Sequence, residues 1–193
     1  MLTEKSSSFA KYYGRFLQSL VINDNGYVDL IKCNKTEKEV ELYKENLNKA
    51  KSILNENYER FGLTEEENNY IQNTSAVVES KDCARYDRDS DSILFNLNEG
   101  KSIPSVGSFV KVLIHEATHT TLNKVKDDTK EDERQCESRA LQISYQLYKE
   151  DKIDNFELMQ NYGKHVKDLE DTNEIDKYID IWLENGYKNH PNK

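Results

Sequence analysis

Residues 112–122 read VLIHEATHTTL, which sets His115, Glu116 and His119 directly behind an apolar run. On an α-helix, positions i and i+4 lie one turn apart and about 40° around the axis. Both imidazoles of such a pair can face one ion, and the glutamate beside the first can reach a water held on it. Two histidines and one further protein ligand leave an open coordination position, the arrangement of a catalytic zinc rather than a structural one. The chain has only four histidines in 193 residues, and two of them are spent on this pattern. The competing reading is a buried helix with two hydrogen-bonded core histidines. The apolar residues ahead of His115 favour the ion, because a His-Glu-His cluster taken out of water without a charge partner is costly.

A third ligand has to come from further along the chain. One zinc pattern continues H-E-x-x-H with G-x-x-H, but the corresponding positions are Leu122 and Val125, which excludes it. Carboxylates remain. Residues 131–150 read EDERQCESRALQISYQLYKE, a helix whose apolar stripe is Cys136, Ala140, Ile143 and Leu147. At about 100° per residue, Glu133 and Glu137 fall on the side of that stripe, whereas Glu131, Asp132 and Arg134 point to solvent. Carboxylates on a buried face need a partner. An ion and its histidines supply one, with one glutamate binding the metal and the other accepting a hydrogen bond from a ligating imidazole. Spacing alone leaves both assignments of Glu133 and Glu137 open.

His115-Glu116-x-x-His119 followed by Glu133-Arg134-Gln135-Cys136-Glu137 resembles the gluzincin metallopeptidases. In that group the third ligand opens an E-x-x-x-D/E pattern on the helix after the active-site helix. The pattern is most similar to that of the anthrax lethal factor-like catalytic domains, where E-x-x-A-E recurs and whose small Ala position Cys136 occupies here. The likeness spans residues 115–140. It implies a zincin-like fold and one zinc ion held by His115, His119 and Glu133. It further implies Glu137 as the carboxylate behind a ligating histidine and Glu116 as general base. Lethal factor-like domains carry a Tyr between the second histidine and the third ligand that helps stabilise the transition state, and residues 120–132 contain none. The candidates for that role are Tyr145, Tyr162 and His165. The two tyrosines also suit core packing. His165 lies beside the apolar set Leu158, Tyr162, Val166 and Leu169, where a lone histidine is commonly structural. His190 sits in the terminal YKNHPNK and is read as exposed.

The elements that position these residues are mostly helical. Phe9, Tyr12, Tyr13, Phe16, Leu17 and Leu20 line one face of a helix over 7–21. A second helix over 36–61 opens on a capping box, Thr36-x-x-Glu39, carries Val40, Tyr43, Leu47, Ala50, Leu54 and Phe61, and stops at Gly62. Another box, Thr64-x-x-Glu67, starts a short helix. Residues 76–78 and 92–98 read as strands, the second with Ile93, Phe95 and Leu97 on one face, and Asp87–Asp91 as the turn between them. The 92–98 strand either lines the cleft and pairs with an extended substrate or lies inside the sheet. The most apolar helix covers 106–125, Asp127–Thr129 breaks and caps, and helices follow over 130–149, 153–169 and from 172 to about 185. The expected fold is α+β, mostly α: one zincin-like domain over 1–193, with a helical part over 1–71, a sheet plus the active-site helices over 75–150, and C-terminal helices over 153–187.

Composition narrows the function. A net charge of -9 and a pI near 5.1 give no clustered basic surface for nucleic acid. Aromatic residues reach 10%, including twelve tyrosines, which marks a folded chain with a charged surface. Cys33, Cys83 and Cys136 are odd in number and unpaired in spacing, against both a disulfide framework and a cysteine zinc site. No apolar run is long enough to span a membrane, and residues 1–16 lack a signal peptide's apolar stretch. A cytoplasmic protein, or one exported without a cleavable signal, is expected. The reading is zinc-dependent peptide-bond hydrolysis of a peptide or protein substrate, with an effector or toxin-like protease as one form of it. The alternative is a non-catalytic zinc-binding regulatory or structural domain, for which Glu116 would have no use. A metal-free helical interaction protein is the third.

Overall fold

A computed structural model of the chain describes residues 20–22, 33–77, 84–87, 92–97, 102–122, 129–158 and 163–185. They form helices α1 (Glu37–Asn57), α2 (Glu65–Gln72), α3 (Val106–Leu122), α4 (Lys130–Lys149) and α5 (Asn173–Asn185), and strands β1 (Leu20–Ile22), β2 (Ser75–Val77), β3 (Ala84–Asp87) and β4 (Ser92–Asn96). The fold is α+β and mostly α. It divides into two compact units, one drawn from residues 1–45 and 73–103, the other from 46–72 and 104–193.

The first unit holds a sheet of order β1-β2-β4-β3, in which β2 and β4 run parallel and the other pairs antiparallel. Ile93, Phe95 and Leu97 are buried as their alternation requires, and Asn96 is buried with them. β4 is paired on both sides, to β2 and to β3. It therefore has no free edge, and pairing of an extended substrate along it is ruled out. Two strands are additions to the sequence reading. Leu20 and Val21, expected to end a helix, lie in β1, and residues 7–19 of that helix are outside the described residues. β3 occupies 84–87, so Asp87 closes a strand instead of opening a turn. Both strands are too short for a period-2 pattern to register, and both are held by pairing with another strand. The Thr36 cap of α1 forms as read: Glu39 Oε2 accepts from the Thr36 backbone N–H and hydroxyl, each at 2.7 Å.

In the second unit, α1 ends in a Schellman motif. The Leu63 N–H donates to the Tyr58 carbonyl, Gly62 N–H to Glu59, and Gly62 sits at φ +67°, where a side chain would be strained. α3 packs against α2 and α4, and α4 against α5. Phe109, Leu113 and Ile114 of α3, Leu141 and Leu147 of α4, and Ile71 of α2 are fully buried, each contributing about 1.5–3 kcal/mol of hydrophobic burial. The start of α3 is pressed against the segment after α4. A Cβ on Gly107 would meet the Asp154 carbonyl oxygen and the Phe156 ring at 2.7 Å, and the Gly107 N–H donates to Asp154 Oδ1 at 2.8 Å. A carboxylate there also complements the positive end of the helix.

The described residues of 153–169 form no α-helix, contrary to the periodicity. Asp151 takes φ 56° and the Lys152 N–H bonds back to the Leu147 carbonyl, which closes α4. The backbone of Phe156–Leu158 then pairs with 164–166: Leu158 N–H donates to Lys164 at 2.7 Å and Val166 N–H to Phe156 at 2.9 Å. A 3-10 turn follows at Val166–Asp168. Ile153, Phe156, Leu158, Val166 and Leu169 are buried all the same. Their spacing satisfies a helical count, but the chain buries them by folding back on itself.

Candidate metal centre

α3 and α4 lie antiparallel, as the pairing of their side chains shows: Lys111 and His115 meet Glu137, and His119 meets Glu133. The connecting residues 123–128 are outside the described ones. α4 starts on a Thr129 cap, as its sequence indicated, and the Asp132 carboxylate accepts from the Thr129 backbone N–H, a bond the sequence reading did not include. Glu133 and Glu137 are each about 3% exposed, on the buried face that the 3.6-residue period assigned them.

The structure brings His115, His119 and Glu133 into one cluster. His119 Nε2 lies 3.1 Å from His115 Nε2. Glu133 Oε2 is 3.3 Å from His115 Nε2 and its Oε1 is 3.5 Å from His119 Nε2. Three donors bonded to one tetrahedral ion at ~2.0–2.1 Å stand about 3.3 Å apart. The two imidazole nitrogens, and each of them with one oxygen of the Glu133 carboxylate, stand close to that separation, and two imidazole nitrogens with a carboxylate make a zinc donor set. These three residues can hold a metal ion.

Glu137 does something different. Its Oε2 is 2.9 Å from His115 Nδ1, on the opposite side of the imidazole from Glu133. An ion at Nε2 therefore lies across the ring from Glu137. A carboxylate on the far nitrogen fixes ring orientation and tautomer of a ligating histidine. Glu137 Oε1 is in turn 2.6 Å from the Lys111 ammonium, an ion pair with 18% of the lysine side chain exposed. Glu116 follows His115 on α3, about 100° around the axis, and is partly exposed. Trp182 of α5 stands edge-on to His115, with ring centroids 6.2 Å apart.

Electrostatics follow from this packing. Burial raises the Glu133 carboxyl, but hydrogen bonds from His115 and His119 and their charge outweigh it and hold the group well below the usual range. Burial also raises Glu137, and Lys111 together with His115 brings it down to about 2. On His115 burial opposes charge, yet Glu133, Glu137 and Glu116 push the imidazole up to about 10. The buried Glu133 carboxylate thus creates a demand for positive charge at the Nε2 side of the histidine pair.

A second cluster braces the same helices. Glu67 on α2 is fully buried and keeps its capping role, accepting from the Thr64 N–H at 2.7 Å. It also accepts from the Thr121 hydroxyl of α3 at 2.9 Å and from Arg139 of α4 at 2.5 and 3.2 Å. Arg139 further donates to the Gly62 carbonyl at 2.6 Å. One carboxylate joins α2, α3 and α4.

Of the remaining sequence candidates, the described ones, Tyr145 and His165, have their hydrogen bonds elsewhere. The Tyr145 hydroxyl donates to the Glu170 carbonyl at 3.0 Å, and the residue lies two turns and more beyond Glu137 along α4. His165 Nδ1 is 3.1 Å from the Asn155 amide. Tyr162 and His190 are outside the described residues. Sequence reasoning passed over Lys111, Trp182 and Arg139. For Lys111 a signal was present: it is the one charged residue in Val106–Ile114 and precedes His115 by four. Trp182 and Arg139 reach their partners through tertiary packing, which no local spacing announces. No known protein family matches the chain, and no curated protein or solved structure matches it.

Proposed function

We propose that the chain is a zinc-dependent peptidase of gluzincin type on a zincin-like fold, hydrolysing a peptide or protein substrate. The observation that supports it most is that two imidazole Nε2 atoms 3.1 Å apart each face an oxygen of the same buried carboxylate, at 3.3 and 3.5 Å, on residues that a sequence motif singles out independently. In this reading His115, His119 and Glu133 are the ligands and Glu137 orients His115. A zinc ion held there supplies Lewis acidity, which acidifies water and polarises a carbonyl. Glu116 takes the proton of the attacking water and returns it to the leaving amine, a general acid–base role. Its partial exposure suits a group that must meet substrate. The half-buried Trp182 borders His115 and offers an apolar wall.

The test is Glu116→Gln in the full chain. About one zinc per protein should stay bound while cleavage of a broad peptide library falls by a factor on the order of 10² to 10⁴, the usual contribution of general acid–base catalysis. Cleavage at the wild-type rate would refute the mechanism. Zinc bound by wild type with no cleavage of any peptide would favour the non-catalytic zinc domain. Elemental analysis that finds no zinc in wild type, or equal zinc in His119→Ala, would remove the metal.

A further inference from the structure

We propose that Lys111 is a positioning residue of the metal centre, holding the Glu137 carboxylate in the orientation that turns His115 Nε2 toward His119 and Glu133. The inference rests on the zinc reading of those three residues. Lys111 and His115 are one turn apart on α3 and both reach across to Glu137 on α4, Lys111 Nζ at 2.6 Å from Oε1 and His115 Nδ1 at 2.9 Å from Oε2. A carboxylate is planar, so pinning one oxygen fixes the direction of the other. No hydrogen-bond donor among the described residues satisfies Oε1 in regular geometry. Among the described residues, the Lys111 ammonium is the cation paired with it.

The ammonium is itself fixed. Its Nζ donates to the Leu158 carbonyl at 3.2 Å, and Leu158 belongs to the segment pressed against the start of α3. A lysine in an otherwise apolar helical run, directed inward to a carboxylate 3% exposed, has no reason to be there as a surface charge. With Lys111 removed, Glu137 is free to rotate away from Nδ1 or to take up water. His115 then loses the contact that selects its Nδ1–H tautomer and leaves the Nε2 lone pair for an ion.

The experiment is a double-mutant cycle on zinc affinity, by chelator competition on the full chain, with far-UV circular dichroism as the check on folding. Lys111→Met, which keeps the apolar stem, should weaken zinc binding about tenfold, the lower end of what loss of such an outer contact does. It should also alter the visible spectrum of cobalt bound in place of zinc. Lys111→Arg should restore affinity to within about threefold of wild type. Because Lys111 acts through Glu137, adding Lys111→Met to Glu137→Gln should cost less than a further twofold. Should Lys111→Met fail to fold, Lys111→Gln carries the same expectation, since it keeps a donor for Leu158 but not the charge. Unchanged zinc affinity and cobalt spectrum in the folded Lys111 variants would overturn the proposal, as would a full tenfold loss on top of Glu137→Gln. A wild-type protein without zinc would instead fail the reading beneath it.

Discussion

Glu133 and Glu137 sit one turn apart on the same buried face, so exchanging each for glutamine separates their roles. In Glu137→Gln the amide oxygen can still accept from His115 Nδ1, now at 2.9 Å from Glu137 Oε2. The ring stays oriented, but the bond loses its charge and Lys111 loses its partner. Outer-contact losses of this kind reduce metal affinity 10–100-fold, which is about 1.4–2.7 kcal/mol. In Glu133→Gln the change falls on oxygens that face both Nε2 atoms at 3.3 and 3.5 Å. It removes the single anionic donor of the three and should exceed that range, with loss above about 100-fold. The assay is zinc competition against a chromophoric chelator at fixed pH, with circular dichroism confirming that each variant is folded. The order carries the inference. If Glu137→Gln loses more than Glu133→Gln, His115 binds through Nδ1 and the assignment is reversed. If the two lose equally, the carboxylates act as one unit and neither is the ligand by itself.

Glu67→Gln should destabilise the protein by about 2–3 kcal/mol in urea unfolding; a buried ion pair broken on one side costs more, but Arg139 is 28% exposed and water recovers part of its solvation. A loss under about 0.5 kcal/mol would mean that the cluster does not brace the three helices. Gly107→Ala should lose about 1–3 kcal/mol from overpacking although alanine is the better helix former, because the added Cβ meets a backbone oxygen at 2.7 Å; a thermal midpoint at or above wild type would contradict that contact. The Thr36 backbone N–H and hydroxyl hold the Glu39 carboxyl below its ordinary value. A depressed carboxyl contributes stability above its unfolded pKa and loses it as pH falls through the folded one. The urea midpoints of wild type and Glu39→Gln should therefore converge on acidification below about pH 4.5, and a gap independent of pH would argue against the cap.

What the sequence made legible is what one helix decides alone. The 3.6-residue period put His115 and His119 on one stripe and Glu133 and Glu137 on another, and the boxes at Thr36 and Thr64 and the cap read at Asp127–Thr129 marked helix starts within a residue or so. Where the chain's hydrogen bonds go between distant segments, the pattern misled: Ile153–Leu169 has helical spacing but pairs with itself, and β1 and β3 exist only through their neighbours. The choice between the two glutamates falls between these cases. In an antiparallel pair, the residue nearer the connection on α4 meets the residue nearer it on α3. That alone sets Glu133 beside His119 and Glu137 beside His115 and Lys111, one turn further from the connection. It does not say which nitrogen each faces. That depends on how far α4 is rotated about its own axis, and the rotation is fixed by Cys136 and Ala140 in the core and by Arg139 drawn to Glu67. On the zinc reading, the glutamate that would bind and the one that would orient are distinguished by packing several residues away from either, so a change at Glu67 or Arg139 should reach the histidines through the helix that carries both carboxylates.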